Sequence, residues 1–175
     1  MNRVVASLEC EDFLRALHPR LVGGLTLHCG DAALAEELAQ ETLARVWTRW
    51  SEVRSHPAPQ GWAWRVALNL SSSWFRRRAA ERRATTKIGP PPIEMPAPDA
   101  ADRLAVRAAV ASLPPRQRAV LVLRYFDDLS VAEAAAALDC AEGTVKSLTH
   151  HAIAALRDRL AVTIDLTDEE VSNHA

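Results

Sequence analysis

Leu129-Ser130-Val131-Ala132-Glu133-Ala134-Ala135-Ala136-Ala137-Leu138-Asp139-Cys140-Ala141-Glu142-Gly143-Thr144-Val145-Lys146-Ser147 is the stretch whose reading decides the fold. Ser130 stands where a side-chain oxygen accepts from the free amides of a helix start, and Glu133, three residues on, can reach back to close a capping box. The run Ala134 to Ala137 gives a helix of small side chains that lets a second helix approach closely. Leu138-Asp139-Cys140 reads as the turn, with Asp139 or Cys140 capping a second helix from Ala141 to Leu160. On that helix Val145, Leu148, Ala152 and Leu156 recur at spacings of three and four and face inward. Lys146, Ser147, His150 and His151 then fall outside, near the helix start, where short polar and basic side chains suit base edges and phosphates in a major groove. A helix-turn-helix is the better reading; an ordinary helical hairpin with a solvated face is the other. Upstream, Leu113-Pro114-Pro115-Arg116 opens a supporting helix with prolines in its first turn.

Outside that stretch, Ala, Leu, Arg and Glu dominate and strand-forming clusters are scarce, which predicts an all-α chain. Residues 85–101 hold five prolines and should run extended as a linker. The expected organisation is two small helical domains, 1–84 and 102–161, joined by that linker and followed by an acidic tail, 162–175. Taken whole, the net charge of −1 counts against a nucleic-acid partner. Divided by segment it does not: residues 62–87 carry seven bases against the single acid Glu81, and residues 162–175 carry four acids and no base.

In the first unit, Asp31 to Trp50 reads as an amphipathic helix with Leu34, Leu38, Leu43, Val46, Trp47 and Trp50 inward. Glu36, Glu37, Gln40, Glu41 and Arg45 line its outside, an acidic face that is either simply solvated or docks a basic partner. Residues 55–61 read as a short rigid loop. From Trp62 a further helix runs to about Arg83, carrying Trp62, Trp64 and Trp74 and then Arg76, Arg77 and Arg78. Tryptophans at helical spacing fit a core, and joined to arginines they equally fit stacking on single-stranded DNA.

Several function classes find no support. Apolar runs such as Ala134–Leu138 fall far short of the roughly 20 residues that span a bilayer, and the N-terminus does not resemble a secretory signal. Cys10, Cys29 and Cys140 are odd in number and widely spaced, so three reduced thiols are expected, with no disulfide framework and no zinc site. No Gly-rich phosphate loop, nucleophile elbow or metal-spaced ligand set occurs, and adjacent His150 and His151 project about 100° apart on a helix. No enzyme activity, metal or cofactor is expected.

In order along the chain, three stretches resemble the sigma-70 family of RNA polymerase sigma factors, in its small extracytoplasmic-function group. They are Asp31 to Trp47, with Ala35, Glu36, Glu37, Leu38, Gln40 and Glu41; Trp62 to Arg78, with Trp64, Arg65, Asn69 and Trp74; and Leu113 to Ser147, with Arg116, Arg118, Leu129, Glu133, Gly143, Thr144 and Lys146. The resemblance spans about residues 10–161. It implies that Glu37, Gln40 and Glu41 contact the clamp of core polymerase. Residues 51–61, with Trp62, Arg65, Asn69, Arg76 and Arg77, would hold the minus-ten element and its unstacked base. The linker would thread toward the polymerase active centre. Thr144, Lys146, Ser147, His150 and His151 would enter the major groove of the minus-thirty-five element. It further implies a cytoplasmic bacterial protein whose polymerase supplies all the chemistry, with an anti-sigma protein as a further candidate partner.

The chain departs from the family pattern where Leu148, His151 and Ile153 replace arginines of the upstream helix, and Ala63, Leu68 and Ser73 replace the common Leu, Arg and Asp of the minus-ten helix. The runner-up reading is a stand-alone helix-turn-helix regulator of duplex DNA. It leaves Glu36 to Trp47 and the Trp/Arg helix without a task.

Overall fold

A computed structural model describes residues 2–84 and 101–172. Every regular element among them is helical: α1 (Asn2–Cys29), α2 (Ala32–Thr48), the single turn α3 (Trp50–Val53), α4 (Pro59–Ala84), α5 (Ala101–Ala111), α6 (Pro115–Leu121), α7 (Val131–Leu138) and α8 (Glu142–Ser172). The all-α expectation holds. Linker residues 85–100 and the last three residues lie outside the described ones, and α5 starts at Ala101, which the sequence reading assigns to the linker.

The local signals act as expected in most places. Gly30, at φ +75°, ends α1, and Asp31 Oδ1 accepts from Leu34 N at 3.0 Å to open α2. On α2, Leu34, Leu38 and Val46 are buried, and Leu43, with Trp50 of α3, packs against the same core. Trp47 is a correction: it is 50% exposed, because α2 ends at Thr48 and Val46 takes the inward position of that turn. A second correction concerns the expected rigid loop 55–61, since α4 begins at Pro59, where proline's missing amide costs nothing. The tryptophan row divides, with Trp64 fully buried and Trp62 and Trp74 packed at the edge of the core.

The helix-turn-helix forms, but its second helix runs on to Ser172, past the expected end at Leu160 and into the acidic segment. Ser130 and Glu133 make both bonds of the capping box, at 3.2 Å and 2.8 Å. Asp139, with left-handed φ of 52°, closes α7 rather than capping the next helix. α8 starts at Glu142, so neither Asp139 nor Cys140 is its cap. A feature with no expectation behind it is the wide π-helical turn Val122–Phe126 after α6, closed by Asp127 N to Val122 O at 2.9 Å.

The two units share one core. Leu17, Leu21 and Leu25 of α1 and Trp64 and Ala67 of α4 belong to the same buried cluster as Val122, Leu123, Leu129, Ala134 and Val145. A smaller cluster of Leu113, Leu121 and Ala152 sits under α8. Asp127, whose side chain has no exposure, ties the units together. Its Oδ1 accepts from Arg20 Nε at 2.7 Å, and Arg20 Nη2 also donates to the Asp127 carbonyl at 2.8 Å. Gln60 Nε2 and Trp64 Nε1 both donate to Oδ2.

Gly24 makes the docking close enough. A Cβ there would stand 2.5 Å from Trp64 Cη2 and 2.8 Å from Val122 Cγ1, both in the core. Alanine gains roughly 1 kcal/mol of helix propensity over glycine, whereas overpacking costs typically 1–3 kcal/mol. Gly24→Ala is therefore expected to lower the stability by roughly 1 kcal/mol net, read as a lower urea midpoint. Gly23→Ala serves as the contrast, because its Cβ meets only Phe126, a 42% exposed ring free to swing aside.

Candidate nucleic-acid interface

α4 turns Ala63, Trp64, Ala67, Leu68 and Ser71 into the core, which leaves Arg65, Asn69, Arg76 and Arg77 exposed. The first half of this face is not open on all sides. Trp62, Arg65 and Asn69 line a recess of 230 Å³ against Ala136 of α7, with Arg49 and His56 at its other edge. Arg65 Nη2 also reaches Asp139 at 3.5 Å. Further along, Arg76 Nη2 donates to Ser73 Oγ at 3.1 Å and Arg78 lies 3.6 Å from Glu81. Such exposed pairs hold side chains only weakly, so these guanidiniums stay available to phosphates.

On α8 the inward stripe leaves Thr144, Lys146, Ser147, His150 and His151 exposed, as the spacing predicts. Ser147 Oγ and His151 Nδ1 are 3.4 Å apart, and the His150 and His151 rings meet edge to face at 5.8 Å. No group of three metal-ligating side chains occurs among the described residues. The capping box that orients α7 also acts on its own acid: hydrogen bonds from Ser130 side chain and backbone hold the Glu133 carboxyl below its ordinary value.

α2 presents Glu37, Gln40 and Glu41 on its exposed side. Gln40 Nε2 donates to Glu36 Oε1 at 3.0 Å, the same oxygen that stands 3.0 Å from His18 Nε2. Those two bonds, His18 first, hold the Glu36 carboxyl below its ordinary value. Arg45 Nε donates to Glu41 at 2.8 Å. Exposed Trp47, read as core from the sequence, adds a large apolar surface beside these polar groups.

Between the units, His28 is 5% exposed, and its Nδ1 has no hydrogen-bond partner. Burial, and secondarily the Arg118 charge, push its pKa down to about 4. The unfolded chain, titrating near 6.5, therefore binds the proton that the folded chain refuses, and stability falls as pH drops from about 6.5 toward 4. From pH 7 to pH 5 the loss from this group is about 2 kcal/mol. Urea unfolding at both pH values checks it, with His28→Gln expected to flatten the dependence. Neighbouring Cys29, 3.5 Å from Ser71 Oγ, has its thiol pushed up by burial and is a poor nucleophile.

Sequence reasoning missed Arg20, Gln60 and Asp127. None lies in a stretch with a recognisable pattern, and only the pairing of helices distant in sequence reveals them. No described helix is long and apolar enough to cross a membrane.

Two family models match the chain, "Sigma-70 region 2" over residues 13–81 and "Sigma-70, region 4" over residues 103–156. The chain is 33% identical over 153 residues to the RNA polymerase sigma-E factor of Streptomyces coelicolor, covering 87% of this chain and 86% of that one. It is 39% identical over 137 residues to the ECF RNA polymerase sigma factor SigL of Mycobacterium tuberculosis, covering 73% and 75%. Among solved structures, the sigma factor RpoE of Bartonella quintana, crystallised with the anti-sigma factor NepR, superposes with a TM-score of 0.78 at 23% identity. That match covers 87% of this chain and 96% of the other, a likeness of fold.

Proposed function

This chain belongs to the extracytoplasmic-function group of sigma-70 family RNA polymerase sigma factors, which direct transcription initiation, and from that premise we propose how its surfaces divide the work. Residues 1–84 form the unit that binds core polymerase and the minus-ten element, and residues 102–161 form the unit that binds the minus-thirty-five element. Residues 85–101 connect them and 162–175 are an acidic tail. Glu37, Gln40 and Glu41 dock on the polymerase clamp, with Trp47 as the apolar anchor beside them. Trp62, Arg65, Asn69, Arg76 and Arg77 take the opened minus-ten strand, by stacking and phosphate neutralisation. Thr144, Lys146, Ser147, His150 and His151 enter the upstream major groove. The factor works in the cytoplasm, performs no chemistry itself, and has an anti-sigma protein as a further candidate partner, such as the one with which the structurally similar Bartonella factor forms a complex.

The observation that carries this reading is the exposure of the polar members of all three sets, with Trp62 half-buried beside them, on helices whose opposite sides build the core. Run-off transcription with bacterial core polymerase tests it, with promoter-specific transcripts expected only when the factor is added. The pair Gln40→Ala and Glu41→Ala is expected to weaken core binding about tenfold, since tenfold is about 1.4 kcal/mol. Lys146→Ala and Ser147→Ala should lower upstream-element selectivity while leaving core binding intact. Duplex DNA binding without any polymerase binding would instead favour a stand-alone regulator.

A further inference from the structure

Arginines from both units converge on one cleft. Arg65, Arg76 and Arg78 of α4 line it together with Arg107, Arg116 and Arg118 of the second unit, and His28 lines it too. Two carboxylates also line the cleft, and both are engaged: Asp31 caps α2, and Asp139 lies 3.5 Å from Arg65. Neither Arg107 nor Arg118 pairs with a described carboxylate. Arg116 makes only a long 3.5 Å bond to the Leu138 carbonyl.

Two buried atoms here want partners. Arg118 Nε and His28 Nδ1 are shut off from solvent with no hydrogen bond made. An unpaired guanidinium nitrogen taken out of water is costly, as is an unsatisfied imidazole nitrogen. The cost is visible in both groups, since burial holds the Arg118 guanidinium and the His28 imidazole below their ordinary values. Cations gathered in a concavity also focus the field, which concentrates anions there.

We propose that this cleft is a binding site for a small polyphosphate anion, held by guanidiniums from both units. Phosphate is the chemistry that planar guanidiniums match best, with paired N–H donors to paired oxygens. A chain of two or three phosphates carries several charges along its length and so can meet more than one of these cations, which a single carboxylate does not. An anion bridging the walls holds the units docked and occupies Arg65 and Arg76. The consequence for transcription rests on the sigma-factor reading, because those arginines then cannot meet promoter DNA; the binding itself does not rest on it.

Calorimetric titration of the free full-length chain with inorganic tripolyphosphate, at about 150 mM salt to screen loose surface attraction, tests the site. The expected result is saturable one-to-one binding, weakened roughly tenfold by Arg118→Gln and by Arg107→Gln. It is unchanged by Arg15→Gln, at an exposed position of α1 that does not line the cleft. Arg107 is exposed, so its variant stays informative if Arg118→Gln disturbs packing. A parallel titration with adenosine triphosphate separates sources: equal affinity assigns the phosphate chain alone, and tighter binding assigns a nucleotide. Absence of saturable binding, equal weakening by all three variants, or tighter binding of a polyglutamate peptide would overturn the proposal. Because no polymerase is present, these outcomes are independent of the run-off result.

Discussion

Asp127→Ala is expected to lower the stability of the folded chain by about 3 kcal/mol. Removing one partner of a buried charged network typically costs about 3–5 kcal/mol, because the groups left behind stay buried and unpaired. Here the groups left behind are Gln60 Nε2, Trp64 Nε1 and one side of the Arg20 guanidinium. Arg20 is 43% exposed and recovers water, so the lower end of that range applies. The loss should fall mainly on the docking of the two units, since the carboxylate comes from one unit and every donor to it from the other. Urea unfolding is expected to show it as a lower midpoint, and small-angle scattering as a larger radius of gyration under native conditions. Asp127→Asn should do almost as badly, since it removes the charge and sets an amide donor among donors. A variant with wild-type midpoint and radius would show that the contact contributes nothing to docking.

The second large effect is expected at Trp64. Its side chain is wholly buried, and truncating a buried aromatic to alanine costs roughly 3–5 kcal/mol. Trp64 does two things at once: its ring end fills the notch over Gly24, and its indole nitrogen donates to Asp127. Trp64→Phe separates them, keeping much of the bulk while deleting the donor, and should cost about 1–3 kcal/mol. Combined with Asp127→Ala, the Phe variant should add clearly less than its own single cost, by roughly 1 kcal/mol, because the bond it removes is already gone. Full additivity in that cycle would mean that the indole acts through packing alone.

Much of the candidate site was legible because its signals are local. Ser130 and Glu133 announce α7 within four residues, and the stripe from Val145 to Leu156 fixes which side of α8 faces out. Trp47 was misread because a spacing of three or four from Leu43 and Trp50 fits either side of a helix about to end. The start of α4 was misread for the opposite reason: Pro59 is itself a start signal, but it sits in a stretch that also reads as loop. Asp127 could not be read at all. An aspartate after an apolar run resembles a surface turn, and only Arg20, Gln60 and Trp64, between 63 and 107 residues away, make it a buried anchor. The docking of the units was hidden for the same reason, since complementarity between distant helices leaves no periodic trace.

The continuous core has a consequence for affinity. Elements about 25 base pairs apart lie roughly 85 Å apart along B-form DNA, at 3.4 Å per pair. A compact chain of 175 residues has a radius of gyration of only about 16 Å. α4 and α8 therefore cannot occupy both elements while Val122, Leu123 and Leu129 share a core with Leu21 and Trp64. On the division of surfaces proposed above, polymerase would draw on an undocked population, and its apparent dissociation constant would be the intrinsic one divided by that fraction. Substitutions that loosen the docking without unfolding either unit would then tighten holoenzyme formation even as they lower the melting temperature.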